Sequence, residues 1–220
     1  MEVKLINYSQ ADGEYLIDST SAQEMVAFCA RVSNPDNQMN SETSAGLIKY
    51  LIRHKHWSPF EMVSACLEIK TTRDIARQIL RHRSFSFQEF SQRYAVATDF
   101  ETREARMQDP VNRQNSVVTD DPEIQEEWDK IQDNVIDLTK AAYNRALDLG
   151  IAKEQARAVL PEGLTASTMY VNGTLRSWIH YIELRSENGT QKEHMDIAHA
   201  VADVIAKIFP LAEEFKGKEI

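Results

Sequence analysis

A chain of 220 residues, 42% hydrophobic and 27% charged, holds enough apolar residues for one core, so a single domain over residues 1–220 is expected. A net charge of −9 excludes a surface that coats nucleic acid or an anionic membrane, so any anion site is a local basic island. Cys29 and Cys66 show no C-x-x-C spacing, no apolar run reaches the ~20 residues of a membrane helix, and the opening MEVKLINYSQ has no signal pattern; a disulfide scaffold and a zinc ribbon are excluded, and a reduced, cytoplasmic protein is expected.

Residues 2–9 read as a strand. Residues 21–33 carry Met25, Phe28, Cys29 and Val32 at helical spacing, and Asn34-Pro35-Asp36-Asn37 breaks the helix. Residues 41–57 form a second predicted helix, with Leu47, Ile48 and Leu51 on one face; Pro59 ends it by disfavouring helical geometry at Ser58. Residues 62–70 alternate, with Val63, Ala65, Leu67 and Ile69 on one side and Ser64, Cys66, Glu68 and Lys70 on the other, as in a half-buried strand. A short helix follows over 71–83, with a threonine cap, an acid in its first turn and Ile75 and Ile79 four apart.

Residues 99–120 are polar and irregular and are expected as a flexible loop. Residues 121–150 give the clearest helix: Asp121 caps, Pro122 takes the first helical position and Gly150 stops it. This helix is ~42 Å long. Its stripe of Ile124, Trp128, Ile131, Val135, Leu138 and Ala142 is expected to pack on the core. A short helix over 153–161, a strand over 164–172 and a helix over 173–185 come next. Thr190 and Glu193 read as a capping box that opens a last helix running to Phe209, where Pro210 intervenes. The expected class is α+β, an antiparallel sheet of 2–9, 62–70 and 164–172 packed with helices and braced by the 122–149 helix.

The basic island lies between Lys70 and Arg93, where six cations face two carboxylates. On the predicted helix Arg73, Arg77 and Arg81 share a face, with Gln78 beside Arg81. Guanidinium groups offer the planar paired donors that suit phosphate. The stretch RHRSFSFQEFSQRY then mixes hydroxyls (Ser84, Ser86, Ser91), aromatic rings (Phe85, Phe87, Phe90) and one carboxylate, Glu89. A mononucleotide pocket needs such a set: a phosphate clamp, polar readers and apolar walls. A solvated basic face paired with the chain's acids is the plainer alternative. His54 and His56 lack a third ligand, so no metal is expected. Cys29 and Cys66 read as core, and His194 and His199, five apart, as surface histidines.

Arg81-His82-Arg83, seven residues and then Ser91 resembles the signature of the flavin-dependent thymidylate synthases. ARQILRHR precedes it, and Glu89, Ser91, Arg93 and Tyr94 continue the family's E-x-S-x-R-Y. HKHWSPFE is similar to the family's H-x-[ST]-P-F-E block, and ARAVLP and LRSWIHYIELR to its two C-terminal blocks. The resemblance runs in the family's order from about residue 30 to residue 200.

The resemblance implies methylation of dUMP to dTMP, with methylenetetrahydrofolate as carbon donor, NADPH as reductant and a bound FAD as hydride carrier. It implies a homotetramer with FAD sites at subunit interfaces, in keeping with a chain that has no G-x-G-x-x-G fingerprint. By matching position, dUMP would meet Gln78, Ile79, Leu80, Arg81, Glu89, Phe90, Ser91, Gln92, Arg93, Arg157 and Arg185. FAD would meet His56, Ser58, Arg81, His82, Arg83, Glu89, Thr174, Leu175, Arg176 and His180, with His56 also near the folate. Arg185 would be the catalytic group, a fixed cation at the uracil edge where negative charge builds. Ser91 has no partner base and reads as a positioning donor. Met62, Gln88 and Gln92 depart from the family pattern. A non-catalytic nucleotide- or flavin-binding relative and a nucleic-acid-binding module are the alternatives.

Overall fold

The computed structural model describes residues 1–13, 21–187 and 189–216. In chain order it forms β1 (Glu2–Tyr8), α1 (Ala22–Ala30), α2 (Ser44–Arg53), β2 (Ser64–Thr72), α3 (Arg73–Ile79), β3 (Ser86–Glu89), β4 (Arg106–Gln108), β5 (Ser116–Val118), α4 (Pro122–Asp148), α5 (Lys153–Ala156), β6 (Ala166–Thr174), α6 (Leu175–Arg185) and α7 (Lys192–Ala206). Short 3₁₀ turns stand at Pro35–Asn37, Ser58–Glu61, Arg157–Val159 and Pro210–Phe215.

The α+β class is as expected, and the main sheet is antiparallel in the order β1-β2-β6-β3. The alternation in β2 decides which face is covered: Val63, Ala65, Leu67 and Ile69 are all fully buried. Met169 and Val171 of β6 join them, and α1, α2, α6 and α7 close over this face with Val26, Ile48, Trp178, Ile182, Ile197 and Val201. Each such side chain contributes roughly 1.5–3 kcal/mol by leaving water.

Several boundaries differ from the expectations for physical reasons. β2 and β6 stay paired as far as Thr72↔Ala166, so the ladder takes Thr71 and Thr72, and α3 starts only at Arg73. α3 stops at Ile79, and Arg81 lies beyond it. Arg73, Arg77 and Arg81 therefore do not share a helical face: Arg73 turns inward, Arg77 bonds Glu162 at 3.1 Å, and Arg81 belongs to the next turn. The fourth strand, β3, was not expected. α2 is shorter than 41–57 and ends as Lys55 enters the left-handed region at φ 57°. Gln191 rather than Thr190 caps α7, and the Glu193 carboxylate goes to Gln191 and Arg106 instead of forming a capping box.

Residues 99–120 hold a hairpin, β4 on β5, instead of an unstructured loop. Its turn is organised by the Asp109 carboxylate, which accepts from the Val111 and Asn112 amides and from Asn115. α4 is capped as expected, with Asp121 accepting from the Glu123 and Ile124 amides, and Gly150 at φ 78° ends it. It does not brace the sheet. Tyr143 packs with Ala97, Ala156 and Leu160 in a small separate cluster, and Gln132 bonds the Arg103 backbone. The apolar stripe faces outward, with Trp128 36%, Ile131 47% and Leu138 73% exposed.

Gly173 has a clear structural demand. A Cβ there would stand 2.3 Å from Phe85 Cδ1, and that ring already lies 4.5 Å from Trp178 between centroids. Gly173→Ala is expected to destabilise the fold by about 1–3 kcal/mol through forced repacking. Urea unfolding of the variant measures this; an unchanged midpoint would mean the ring moves aside freely.

Candidate active site

The basic stretch is placed by the chain on either side of it. After α3, the Arg81 and His82 amides bond the Gln78 and Ile79 carbonyls, and the Phe85 amide bonds the His82 carbonyl, so the strand is reached through two tight turns. β3 then pairs with β6, from Ser86↔Asn172 to Glu89↔Met169. The Ser177 hydroxyl donates to the Ser84 carbonyl at 3.2 Å and pins the turn to α6. His82 points inward, 5.0 Å from the Tyr181 ring. Arg81 and Arg83 are exposed and, among the described residues, their side chains form no salt bridge or hydrogen bond.

Arg185 ends α6 and donates its Nε–H to His82 Nε2 at 2.9 Å. His82 therefore carries its proton on Nδ1 and is neutral. Burial, then the Arg185 and Arg81 charges, push its pKa down to about 4. The bond fixes Arg185, and among the described residues its two terminal nitrogens make no hydrogen bond. Tyr181 and Arg185 lie four apart on one side of α6, whereas Arg176 and His180 lie four apart on the other. From Arg176 to Arg185 is nine residues, about two and a half turns and ~13 Å. Arg176 pairs with Glu61, and the His180 ring stands edge-on to Trp57 at 4.6 Å. Thr174 caps α6, and the Leu175 side chain is wholly in the core, its amide bonded to Val63.

The remaining expected residues fall into further groups. Glu89 Oε1 accepts from Ser167 at 2.9 Å and lies 3.3 Å from the buried Arg73 guanidinium. Arg93 and Arg157 come together at Glu154, Arg93 through its carboxylate at 3.4 Å and Arg157 through its carbonyl at 3.2 Å. Ser91 Oγ accepts the Arg93 amide at 3.4 Å, so it shapes the local turn. Phe90 is exposed, Ile79 is core, Leu80 is half-buried, and Gln92 is buried with Nε2 unpartnered. Ser58 opens the exposed 3₁₀ turn, and His56 stands on an exposed ring cluster with Tyr50 and His54. A cleft of about 280 Å³ beside the hairpin, lined by Arg103, Arg106, Ser116 and Trp128, contains none of the expected set. Cys29 and Cys66 are half-buried and unpaired, and burial raises both thiol pKa values.

His194 is not a surface histidine: it is fully buried. Its Nδ1 lies 3.1 Å from Gln78 Oε1 and its Nε2 3.1 Å from the Tyr181 hydroxyl, and Gln78 also donates to Gln191 at 2.8 Å. Burial, then the charge of Arg185 and the ring of His82, bring its pKa down to about 3. Burial likewise raises the Tyr181 phenol. Tyr181, Gln191 and His194 had not been singled out as site residues. A signal for His194 was present: it lies three and four residues before Ile197 and Ala198, on the buried stripe that continues through Val201 and Ile205.

The sequence model of the family described as thymidylate synthase complementing protein matches residues 15–211. A probable flavin-dependent thymidylate synthase of Paramecium bursaria Chlorella virus 1 is 50% identical over 211 residues, 96% of each chain. A flavin-dependent thymidylate synthase of Synechocystis is 46% identical over 214 residues, again 96% of each. Among solved structures, a UMP/dUMP methylase, PolB of Streptomyces cacaoi bound with 5-Br dUMP, superposes with a TM-score of 0.82 at 27% identity, covering 97% of this chain and 93% of that one.

The two buried imidazoles generate a pH dependence. Their folded values, about 4 for His82 and about 3 for His194, lie below the ordinary 6.5. Their neutral burial thus contributes stability that is complete above about pH 6.5 and is lost as the pH falls toward those values. Thermal unfolding followed from pH 7.5 to 5 is expected to show a falling midpoint with proton uptake on unfolding; a flat profile would contradict the neutral assignment.

Proposed function

This chain belongs to the flavin-dependent thymidylate synthases, and on that premise we propose that Arg81, Arg93, Arg157 and Arg185 seat dUMP for its methylation to dTMP. The enzyme is a flavin-dependent methyltransferase. The observation that carries the site reading is the Arg185–His82 bond: it fixes a cation on the residue that stands in the chain between the exposed Arg81 and Arg83.

The residues fit an FAD in one respect that can be tested directly. Arg81 and Arg83 present guanidinium groups without carboxylate partners among the described residues, which are the donors a pyrophosphate needs. With them, His56, Ser58, His82, Glu89, Thr174, Leu175, Arg176 and His180 would hold the cofactor, Leu175 through its backbone alone. When bound, the flavin supplies reducing equivalents, drawn from NADPH, to a carbon from methylenetetrahydrofolate. Arg185 does its work at the uracil carbonyl–N3 edge, where a cation already fixed by His82 stabilises developing negative charge without reorganising. Arg157, with only its Nε engaged among the described residues, and Arg93 clamp the phosphate, Arg93 exchanging Glu154 for the stronger acceptor. Glu89 uses Oε1 for Ser167 and Arg73, so among the described residues Oε2 is left for ligand hydroxyls or the base.

Two observations support a homotetramer with shared flavin sites. Arg176 and His180 face away from Arg185 on α6, so one protomer does not turn both sets toward one ligand pair. The outward α4 stripe, with Val117 and Val118 of β5 also exposed, is an apolar surface that a second copy would cover. Unpaired Cys29 and Cys66 suit a reducing compartment, and no helix among the described residues is long and apolar enough to cross a membrane; the reading places the enzyme in the cytoplasm, its 220 residues acting as one domain.

Purified protein is expected to be yellow and to release tritium from [5-³H]dUMP when given methylenetetrahydrofolate and NADPH; no release by flavin-loaded protein would overturn the reading. Arg185→Ala is expected to lower kcat by roughly 10²–10³ while FAD is retained. Equal loss of flavin and turnover would remove the role given to Arg185. Leu138→Asp is expected to shift sedimentation from tetramer to smaller species, and a wild-type monomer would exclude the assembly.

A further inference from the structure

We propose that His194 is a positioning residue that fixes which way the Gln78 side-chain amide faces, and so sets the hydrogen-bond pattern offered to the pyrimidine nucleotide. The inference rests on the dUMP reading above and adds the group that orients one of its contacts.

A carboxamide can turn over with almost no change of shape, exchanging donor for acceptor, unless its neighbours forbid it. At Gln78 they do, through a chain whose direction is set at its far end. Glu193 is ionised: burial opposes this, but its own backbone amide, then Gln191 and Arg106, hold its carboxyl below the usual range. A carboxylate only accepts, so Gln191 must turn its Nε2 to Glu193 Oε2, at 2.9 Å. That leaves Gln191 Oε1 to accept from Gln78 Nε2 at 2.8 Å. Gln78 Oε1 is thereby turned to His194, whose Nδ1, 3.1 Å away, must carry the proton. His194 Nε2 is then the acceptor for the Tyr181 hydroxyl at 3.1 Å.

Turning the Gln78 amide over would set oxygen against oxygen at Gln191 and N–H against N–H at His194. Two partly buried hydrogen bonds would be lost together. As it stands, one N–H and one oxygen lone pair of this half-buried residue remain for a ligand. The uracil edge alternates carbonyl oxygens with N3–H, so it distinguishes the two amide orientations as match and mismatch. His194 suits the post because it stays neutral: the His82 ring lies 6.3 Å from its own between centroids, and that ring holds the Arg185 cation. A second positive charge there would meet repulsion and an unpaired N–H.

The test is dUMP binding to the flavin-loaded enzyme, by titration calorimetry, for wild type, His194→Leu, Tyr181→Phe, Gln78→Ala and the His194→Leu/Gln78→Ala double variant, with bound flavin measured in each. His194→Leu is expected to weaken dUMP binding about three- to tenfold and raise its KM with kcat changed less, at unchanged flavin content. In the Gln78→Ala background the same change is expected to have no further effect, since the amide it orients is gone. Unchanged affinity in His194→Leu, or an equal loss in both backgrounds, overturns the proposal. If His194→Leu does not fold, Tyr181→Phe decides: about two- to threefold weaker binding supports it, and wild-type affinity overturns it. Wild-type protein that binds no dUMP overturns the nucleotide reading and this inference with it, whereas a binding wild type with indifferent variants overturns this inference alone.

Discussion

The pairing of β3 on β6 is the constraint on which the site depends. Four residues, Ser86 to Glu89, lie along Val171 and its neighbours, and their register fixes the preceding turn. Gly173 makes the approach possible because no side chain stands where the Phe85 ring lies. Once Phe85 is seated on Trp178, the chain between it and α3 is only a few residues long and has little freedom. His82 must then point into the protein while Arg81 and Arg83 point out. At four residues this edge strand is also too short to template pairing with another chain.

Charge is managed differently on the two sides of that turn. Outside, Arg81 and Arg83 have water around them and no acid beside them among the described residues. Inside, Arg185 is surrounded by groups that cannot take a positive charge cheaply: the neutral His82 and His194 and the buried Tyr181 phenol. The cation is held by an imidazole lone pair instead of a carboxylate. Among the described residues no carboxylate pairs with it, so its field is not cancelled locally. Arg73 shows the opposite treatment. It is buried against Glu89 and Ser167 and acts as a structural partner that holds Glu89 in place. Removing one member of such a pair leaves the other charge buried and unpaired, so its worth lies in position more than in net stability.

Two sides of one helix carry two different sets of ligand-type residues, and the longest helix shows its apolar stripe to solvent while burying Gln132, Thr139 and Tyr143. In a globular helix the apolar side normally faces the core. A second copy of the chain, as proposed above, would cover the stripe and complete the sites that α6 divides.

The family, the antiparallel class, the two central strands, and the start and stop of α4 are legible in the residues alone. These follow from local signals: alternation, an Asp-Pro start, a glycine stop and ordered blocks of residues. The edge strand was hidden because four residues are too few to show a period, and α3 was read too long because the β2–β6 ladder takes its first residues and the turn toward β3 its last. Which charges are paired, the outward turn of the α4 stripe and the place of His194 behind Gln78 emerge with the folded chain. The reason is distance along the chain: the bonds from Arg185 to His82 and from His194 to Gln78 join residues 103 and 116 apart, and no local pattern encodes a contact that exists only once the sheet has brought α3, α6 and α7 together.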